Sequence, residues 1–291
     1  MLPTGKLSFV VIPVHDVNPT RRTPWVTYAL IVANIVVFLR TPGMAGSVTG
    51  ESGLAQLCRL EAFLDQWAAV PRELIHDRLP GLVPTGRVAV GPSGPGCVVA
   101  PPGYDKSPPL SVLTSAFLHG SWLHLLGNML FLWIFGDNIE DRLGRVRYVL
   151  FYGVCGYVAA YGFALANADS TAPLIGASGA VAGVLGAYLV LFPTARVWVL
   201  VPFLVFLPLR LPAWSVLGLW FGLQAVFSYG AAVSQAGTVA YLAHVLGFAA
   251  GMLLAWPLRR GTAPPPEPPG LLWGRQARPG EPWQGRPRRG W

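Results

Sequence analysis

The sequence GASGAVAGVLG at residues 176–186 opens an uncharged run that reaches Ala195. Its small residues at 178, 179, 182, 183 and 186 fall on one face of a helix, where a neighbouring backbone can approach closely. Packing stripes of this kind are common in membrane helices, so the pattern alone would leave Ser178 an incidental residue. The positions of the other polar residues in the apolar segments argue against that interpretation.

The composition is that of a membrane protein. Only 12% of the 291 residues are charged, against roughly a quarter in soluble domains. No charged residue lies between Arg210 and Arg259, which leaves room for two spans of about 20 residues. The net charge of +8 comes mostly from short basic segments beside the apolar runs, as the positive-inside rule describes. We therefore expect a polytopic protein in the lipid bilayer and no nucleic-acid partner.

Six apolar segments are predicted to be membrane-spanning helices in an all-α bundle. They cover about residues 24–39, 113–135, 148–166, 174–192, 213–229 and 239–257. The apolar segment Val197–Leu207 is too short for a span and is interpreted as a buried or interfacial connector. Because the short arginine-containing segments then share one side, both termini are predicted to be cytoplasmic and the long loop extracytoplasmic.

The predicted domain organisation has three parts. A cytoplasmic segment, 1–22, precedes a membrane domain, 23–258, which contains the extracytoplasmic loop 40–112. The Pro- and Arg-rich tail, 259–291, is expected to be disordered. The loop is predicted to contain short helices near residues 60–74. Its two cysteines, Cys58 and Cys97, could form a disulfide or remain free thiols, and the sequence leaves both possibilities open.

Polar residues recur at one depth in spans two, four and six, which run in the same direction. His124 and Asn128 lie in the outer half of span two, Ser178 near the outer end of span four, and His244 near that of span six. Ionisable side chains within a membrane are candidates for a functional site. Their common depth favours one shared site over separate interhelical hydrogen bonds.

These residue types fit nucleophilic catalysis. A serine hydroxyl needs a base within hydrogen-bonding reach, and His244 can supply it. Gly247 and Gly251 follow on the face of His244 and are predicted to pack against the small-residue face that begins at Ser178. No carboxylate lies within a predicted span, so we expect a Ser–His dyad.

Donors for an oxyanion are also available. His124 and Asn128 are four residues apart and share a helix face, and the Ser178 backbone N–H would be unpaired in a first helical turn. A metal site is not expected, because His119 and His124 have no acidic or cysteine ligand beside them and a His-Glu-x-x-His pattern is absent.

At these positions the chain resembles the bacterial six-helix type of the rhomboid family of intramembrane serine proteases. GASG at 176–179 matches the family's Gly-x-Ser-Gly, and AHVLG at 243–247 with Gly251 matches the final-helix histidine motif. HGSWLHLLGN at 119–128 matches the His-x4-His-x3-Asn pattern of the second helix. Glu140 and Gly144 also resemble the pattern of the loop that follows.

The resemblance implies an endopeptidase that cuts membrane proteins in or near their transmembrane segments, without a cofactor. It implies a bacterial plasma-membrane location and says nothing of the oligomeric state. The implied roles are nucleophile for Ser178, general base for His244, oxyanion hole for His124, Asn128 and the Ser178 N–H, and accessory positions for His119, Gly176 and Gly179.

Two alternatives and one departure accompany this prediction. A catalytically inert relative acting as a chaperone or adaptor usually lacks the serine or the histidine, and both are present here. A transporter would favour inverted repeats or intramembrane carboxylates, which are not evident. The departure is Ala182, at a position where some members place an aromatic ring against the histidine. The imidazole is therefore expected to be held differently here.

Overall fold

The computed structural model describes residues 12–43, 53–92, 94–201, 207–234 and 240–259. Of the predicted disordered tail, 259–291, the structure describes only Arg259, the last residue of a 3₁₀ turn at Trp256–Arg259. The rest of that prediction lies outside the described residues. In chain order the elements are β1 Ile12–Asp16, α1 Trp25–Arg40, α2 Gly53–Trp67, α3 Pro71–His76, β2 Val83–Gly91, β3 Gly94–Ala100, α4 Pro108–Ser115, α5 Trp122–Leu143, α6 Arg145–Ala166, α7 Ser178–Leu191, β4 Arg196–Val201, β5 Leu207–Pro212, α8 Ala213–Ser234 and α9 Tyr241–Ala255.

Helix α7 lies at the centre of the helical core. Eleven of its fourteen residues are buried, and it contacts α5, α6, α8 and α9. Its low side-chain volume explains this position, because glycine and alanine let several helices approach one axis. The element that carries the candidate serine is therefore the one most surrounded by protein.

The predicted glycine contact between α7 and α9 is present. A Cβ added to Gly247 would meet the carbonyl oxygen of Gly179, and one added to Gly251 would meet that of Gly183. A Cβ on Gly183 would in turn meet the Cys155 side chain of α6. Backbone lies against backbone along this seam, so the depth of Ser178 relative to α9 is fixed closely.

The second predicted span differs from the structure. The prediction joined residues 113–135 in one helix, whereas α4 ends at Ser115 and α5 begins at Trp122 and continues to Leu143. The break has a local cause, because the Ser121 side chain caps α5 by accepting a hydrogen bond from the His124 N–H at 3.1 Å. Residues 137–143, which lie beyond the predicted span, complete α5.

In the described part of the chain, two small sheets accompany the helices, and the all-α prediction did not include them. Strands β1, β4 and β5 form an antiparallel sheet in the order β1-β4-β5, so the predicted connector 197–207 contributes to a hairpin. Strands β2 and β3 form a second antiparallel pair that packs on α2.

The long loop contains a folded insert, formed by α2, α3, β2 and β3. A disulfide joins Cys58 on α2 to Cys97 on β3, which resolves the alternative that the sequence left open. The Lys106 ammonium forms a buried ion pair with Glu73, with Nζ and Oε2 2.7 Å apart. The predicted short helices near residues 60–74 correspond to the end of α2 and to α3.

Two of the described helical segments are long and apolar enough to cross a membrane, Arg145–Ala166 and Tyr241–Arg259. Two shorter apolar helices, α1 and α7, lie beside them in the helical core.

Candidate active site

Ser178 is the first residue of α7. Two residues before it, the backbone conformation and the space available both require a glycine. Gly176 has φ +116°, a conformation that side chains disfavour. A Cβ at this position would also lie 2.8 Å from both Cε1 and Nε2 of His124. The absence of a side chain at Gly176 therefore lets the His124 imidazole approach the backbone directly before the serine.

The segment leading to Ser178 is held from two sides. The Leu174 N–H donates to the Ala69 carbonyl at 2.7 Å, in a short β-bridge to the chain between α2 and α3. The Gly176 N–H donates to the Ser115 carbonyl at 3.0 Å, and the Ser115 hydroxyl donates to the Leu174 carbonyl. The folded insert and α4 thus support the entry to α7.

Ser178 and His244 are 66 positions apart in the sequence, and the structure brings their side chains together. His244 Nε2 lies 2.8 Å from Ser178 Oγ, a hydrogen-bonding distance. The close α7–α9 packing makes this approach possible, since Gly247 is one turn beyond His244 and contacts the Gly179 backbone. A neutral imidazole in this position can accept the serine proton.

A residue that the sequence analysis missed contacts the other side of the imidazole. Gln224 on α8 places its Oε1 2.8 Å from His244 Nδ1. A signal for it existed, since Gln224 is an amide within the long uncharged run that ends at Arg259. A carboxylate is the more familiar group for orienting a catalytic histidine, and the predicted spans contain none.

His124 and Asn128 lie in the first two turns of α5, on the face directed towards the entry to α7. Asn128 is 7% exposed and donates one Nδ2 hydrogen to the His124 carbonyl at 3.0 Å. An amide nitrogen carries two hydrogens, so one donor of Asn128 remains for a ligand. The Ser178 N–H lies in the first turn of α7, where backbone donors have no intrahelical acceptor.

His119 is placed differently from the other candidates. It lies in the connection between α4 and α5, is 1% exposed, and its ring centroid is 5.0 Å from that of His124, in an edge-on arrangement. Its Nδ1 is 3.4 Å from the Phe117 carbonyl oxygen. His119 therefore packs against the ring of His124.

A cavity of about 40 Å³ opens beside Ser178. Most of the side chains that line it are small, among them Ala159, Ala180 and Ala243. Such a cavity can accept a small side chain next to the serine. Within the described ranges, no cluster of three histidine, cysteine or acidic residues could hold a metal ion.

Comparison with known proteins gives a consistent result. The family model described as the rhomboid domain matches residues 108–261, which is more than half of the chain. "Rhomboid protein 1, mitochondrial" of Saccharomyces cerevisiae is 32% identical over 153 residues, covering 50% of this chain and 41% of the yeast protein. "RHOMBOID-like protein 6, mitochondrial" of Arabidopsis thaliana is 29% identical over 175 residues, covering 58% of this chain and 52% of the Arabidopsis protein.

A bacterial relative is also similar. YdcA of Bacillus subtilis (strain 168), whose name includes the words "rhomboid protease", is 34% identical over 85 residues, covering 27% of this chain and 39% of YdcA. The chain thus spans about half or less of the length of these three relatives. The matched region contains α4 to α9 and with them every candidate site residue. The chain belongs to the rhomboid family, whose members are helical membrane-integral proteins.

Proposed function

We propose that this protein is an intramembrane serine endopeptidase with a Ser178–His244 dyad. The observation that carries the proposal is the 2.8 Å separation of Ser178 Oγ and His244 Nε2. Hydroxyl and imidazole side chains within a membrane bundle are costly unless they pair, and a serine–histidine pair at a helix N-terminus is poised for acyl transfer.

The proposed reaction begins with proton transfer from Ser178 to His244 Nε2 as Oγ attacks the scissile carbonyl carbon. The carbonyl oxygen becomes an oxyanion, which is stabilised by the Ser178 N–H, Asn128 Nδ2 and the His124 imidazole. His244 then gives its proton to the leaving amine, and an acyl-enzyme on Ser178 results. A water molecule, deprotonated by His244, releases the acyl group and restores the serine.

The proposed substrates are transmembrane segments of other membrane proteins, cut near one membrane surface. Support comes from the location of Ser178 at the end of a buried helix and from the small cavity beside it. A residue with a small side chain preceding the scissile bond fits this volume. No cofactor takes part in the proposed reaction.

The six-span topology also belongs to this proposal. We assign 1–22 and 259–291 to the cytoplasm, 23–258 to the membrane domain and 40–112 to the extracytoplasmic side, in a bacterial plasma membrane. The short arginine-containing segments on one side of the bundle support this orientation.

The test is labelling of the detergent-purified protein with a fluorophosphonate, which reacts with activated serines. Intact mass should show one adduct on the wild type and none on Ser178→Ala or His244→Ala. Ser215→Ala is the matched control, because the Ser215 hydroxyl bonds the Pro212 carbonyl at 2.8 Å within its own helix end. This control should be labelled like the wild type.

Two results would contradict the proposal. Labelling that persists in Ser178→Ala would show that another serine reacts. A folded wild-type protein without any adduct would favour the inert chaperone or adaptor, since an activated serine is the property that separates the two functions.

A further inference from the structure

The imidazole of His244 is held by α8, whereas some members of the rhomboid family place an aromatic ring against it four residues after the serine. Ala182, four residues after Ser178, is fully buried and offers only a methyl group. The Trp220 ring centroid lies instead 6.1 Å from that of His244, with 31° between the planes. Gln224 follows Trp220 by one helical turn and reaches Nδ1 of the same imidazole.

The partners of the two ring nitrogens indicate which nitrogen carries the proton. The Gln224 oxygen 2.8 Å from Nδ1 can only accept, so Nδ1 must donate. A neutral imidazole has a single N–H, which leaves Nε2 with a free lone pair. Nε2 is the atom that faces Ser178 Oγ at 2.8 Å, and it can therefore accept the serine proton.

We propose that Gln224 is the positioning residue of the dyad: its side-chain oxygen holds His244 in the Nδ1–H tautomer and orients Nε2 towards Ser178. This inference rests on the proposed protease function. In this arrangement Ser178, His244 and Gln224 are linked by hydrogen bonds, and they come from α7, α9 and α8 respectively. Gln224 touches neither Ser178 nor the reacting bond.

An amide suits this task within a membrane. A carboxylate in the same place would have to be desolvated, which is expensive in hydrocarbon surroundings, whereas an amide is neutral. The amide oxygen still selects the tautomer, as the asparagine does in the Cys-His-Asn arrangement of papain-like proteases. It stabilises the imidazolium less than a carboxylate would, because it carries no net charge.

The first test measures the rate of fluorophosphonate labelling of Gln224→Leu and Gln224→Glu. Leucine keeps the size but removes the acceptor, so labelling of Ser178 should slow roughly ten- to a hundredfold. Glutamate keeps an acceptor oxygen and should restore most of the rate. Gln66→Leu on α2 is the matched control and should react like the wild type.

The second test reads the tautomer itself. In protein labelled with ¹⁵N-histidine, the His244 signals, assigned with His244→Ala, should show the Nδ1–H form in the wild type. This form should disappear in Gln224→Leu, while the melting temperature stays within about 2 °C of the wild type.

The outcomes separate the two proposals. Wild-type labelling rates in Gln224→Leu, or an unchanged His244 tautomer, would overturn the role of Gln224. Slow labelling that Gln224→Glu does not restore, together with a large fall in melting temperature, would overturn it as well, in favour of a packing role. A wild type that is never labelled would contradict the protease function. The tautomer measurement would then still show whether Gln224 holds His244 in the Nδ1–H form.

Discussion

Helices α5 and α7 each carry polar residues at both ends, and the two ends are organised differently. At the Ser178 end, α5 carries His124 and Asn128, and the hydroxyl of Ser178 meets an imidazole. At the opposite end, α5 carries Asn138 and Glu140 and α7 carries Tyr188, all buried. The same helices thus supply two polar clusters in one apolar core.

The opposite end is a set of paired hydrogen bonds around Asp16 of β1. Asp16 Oδ2 accepts from the Tyr188 hydroxyl at 2.7 Å and from Asn138 Nδ2 at 2.9 Å. Burial raises the pKa of Asp16 to about 7, although these two donors oppose the shift. The N-terminal strand is anchored to α5 and α7 by these bonds.

Glu140 forms the second part of this cluster. Its carboxylate accepts from the Val26 N–H at 3.0 Å, from the Thr27 N–H at 2.8 Å and from the Thr27 hydroxyl at 2.9 Å. These N–H groups belong to the first turn of α1, which has no intrahelical acceptor for them. Glu140 therefore caps the N-terminus of α1 from another helix, and its negative charge interacts favourably with the positive end of the α1 dipole.

The two clusters differ in how completely their donors and acceptors are paired. Around Asp16 and Glu140 the donors and acceptors satisfy each other. At the Ser178 end, Asn128 and the first turn of α7 keep donors for a ligand. We therefore expect substitutions around Asp16 and Glu140 to change stability and substitutions at the Ser178 end to change activity.

The largest effect is expected for Asn128→Ala. Removal of one oxyanion donor should lower the fluorophosphonate labelling rate roughly 10²–10³-fold, with little change in melting temperature. Asn167→Ala is the matched control, because Asn167 makes the same Nδ2 bond to the carbonyl four residues earlier, at 2.9 Å, but is exposed. An unaffected rate in Asn128→Ala would show that other groups stabilise the oxyanion.

The next effect is expected for Glu140→Ala. Three buried or half-buried donors on Val26 and Thr27 would lose their acceptor, at a cost of about 3 kcal/mol, which corresponds to roughly 6–12 °C in melting temperature. Asp141→Ala, which removes a neighbouring carboxylate with one exposed bond to the Arg21 N–H, should change it little. Equal losses in the two variants would contradict the capping role.

The third effect, expected for Asp16→Asn, depends on pH. Because the Asp16 pKa is raised from 3.8 to about 7 on folding, the unfolded chain loses this proton first as the pH rises. Wild-type stability should therefore fall between about pH 4 and pH 7 and level off above. Asparagine keeps an acceptor oxygen and stays neutral, so the variant should match the wild type near pH 4 and melt at a higher temperature than the wild type at pH 8. A variant with the wild-type pH dependence would contradict this assignment.

Much of the core could be predicted because its patterns are local. The glycine spacing on α7 and α9 predicted their contact, which is present. The common depth of Ser178 and His244 followed from helices of known rise in a layer of known thickness. The start of α5 was predicted wrongly, although Ser121 is a typical N-cap, because the apolar pattern of residues 113–135 continues through the break.

Other contacts could not be predicted, because they join residues far apart in the sequence and no repeating sequence pattern marks them. The pairing of β1 with β4 links Ile12 to Leu200, and the insert joins Cys58 to Cys97 across two strands. Gln224 was visible as the one amide in the predicted span 213–229, but its partner depended on how α8 rotates against α9.

The sequence by itself determined the helical membrane core, the small-residue seam between α7 and α9, and the order of the site residues along the chain. Helical period and the exclusion of charge from hydrocarbon are sufficient for these features. Only the tertiary structure decided that the Gln224 side chain contacts His244, that the insert supports the entry to α7, and that Asp16 anchors the first strand. Each of these depends on side-chain directions from separate elements, which no local pattern encodes.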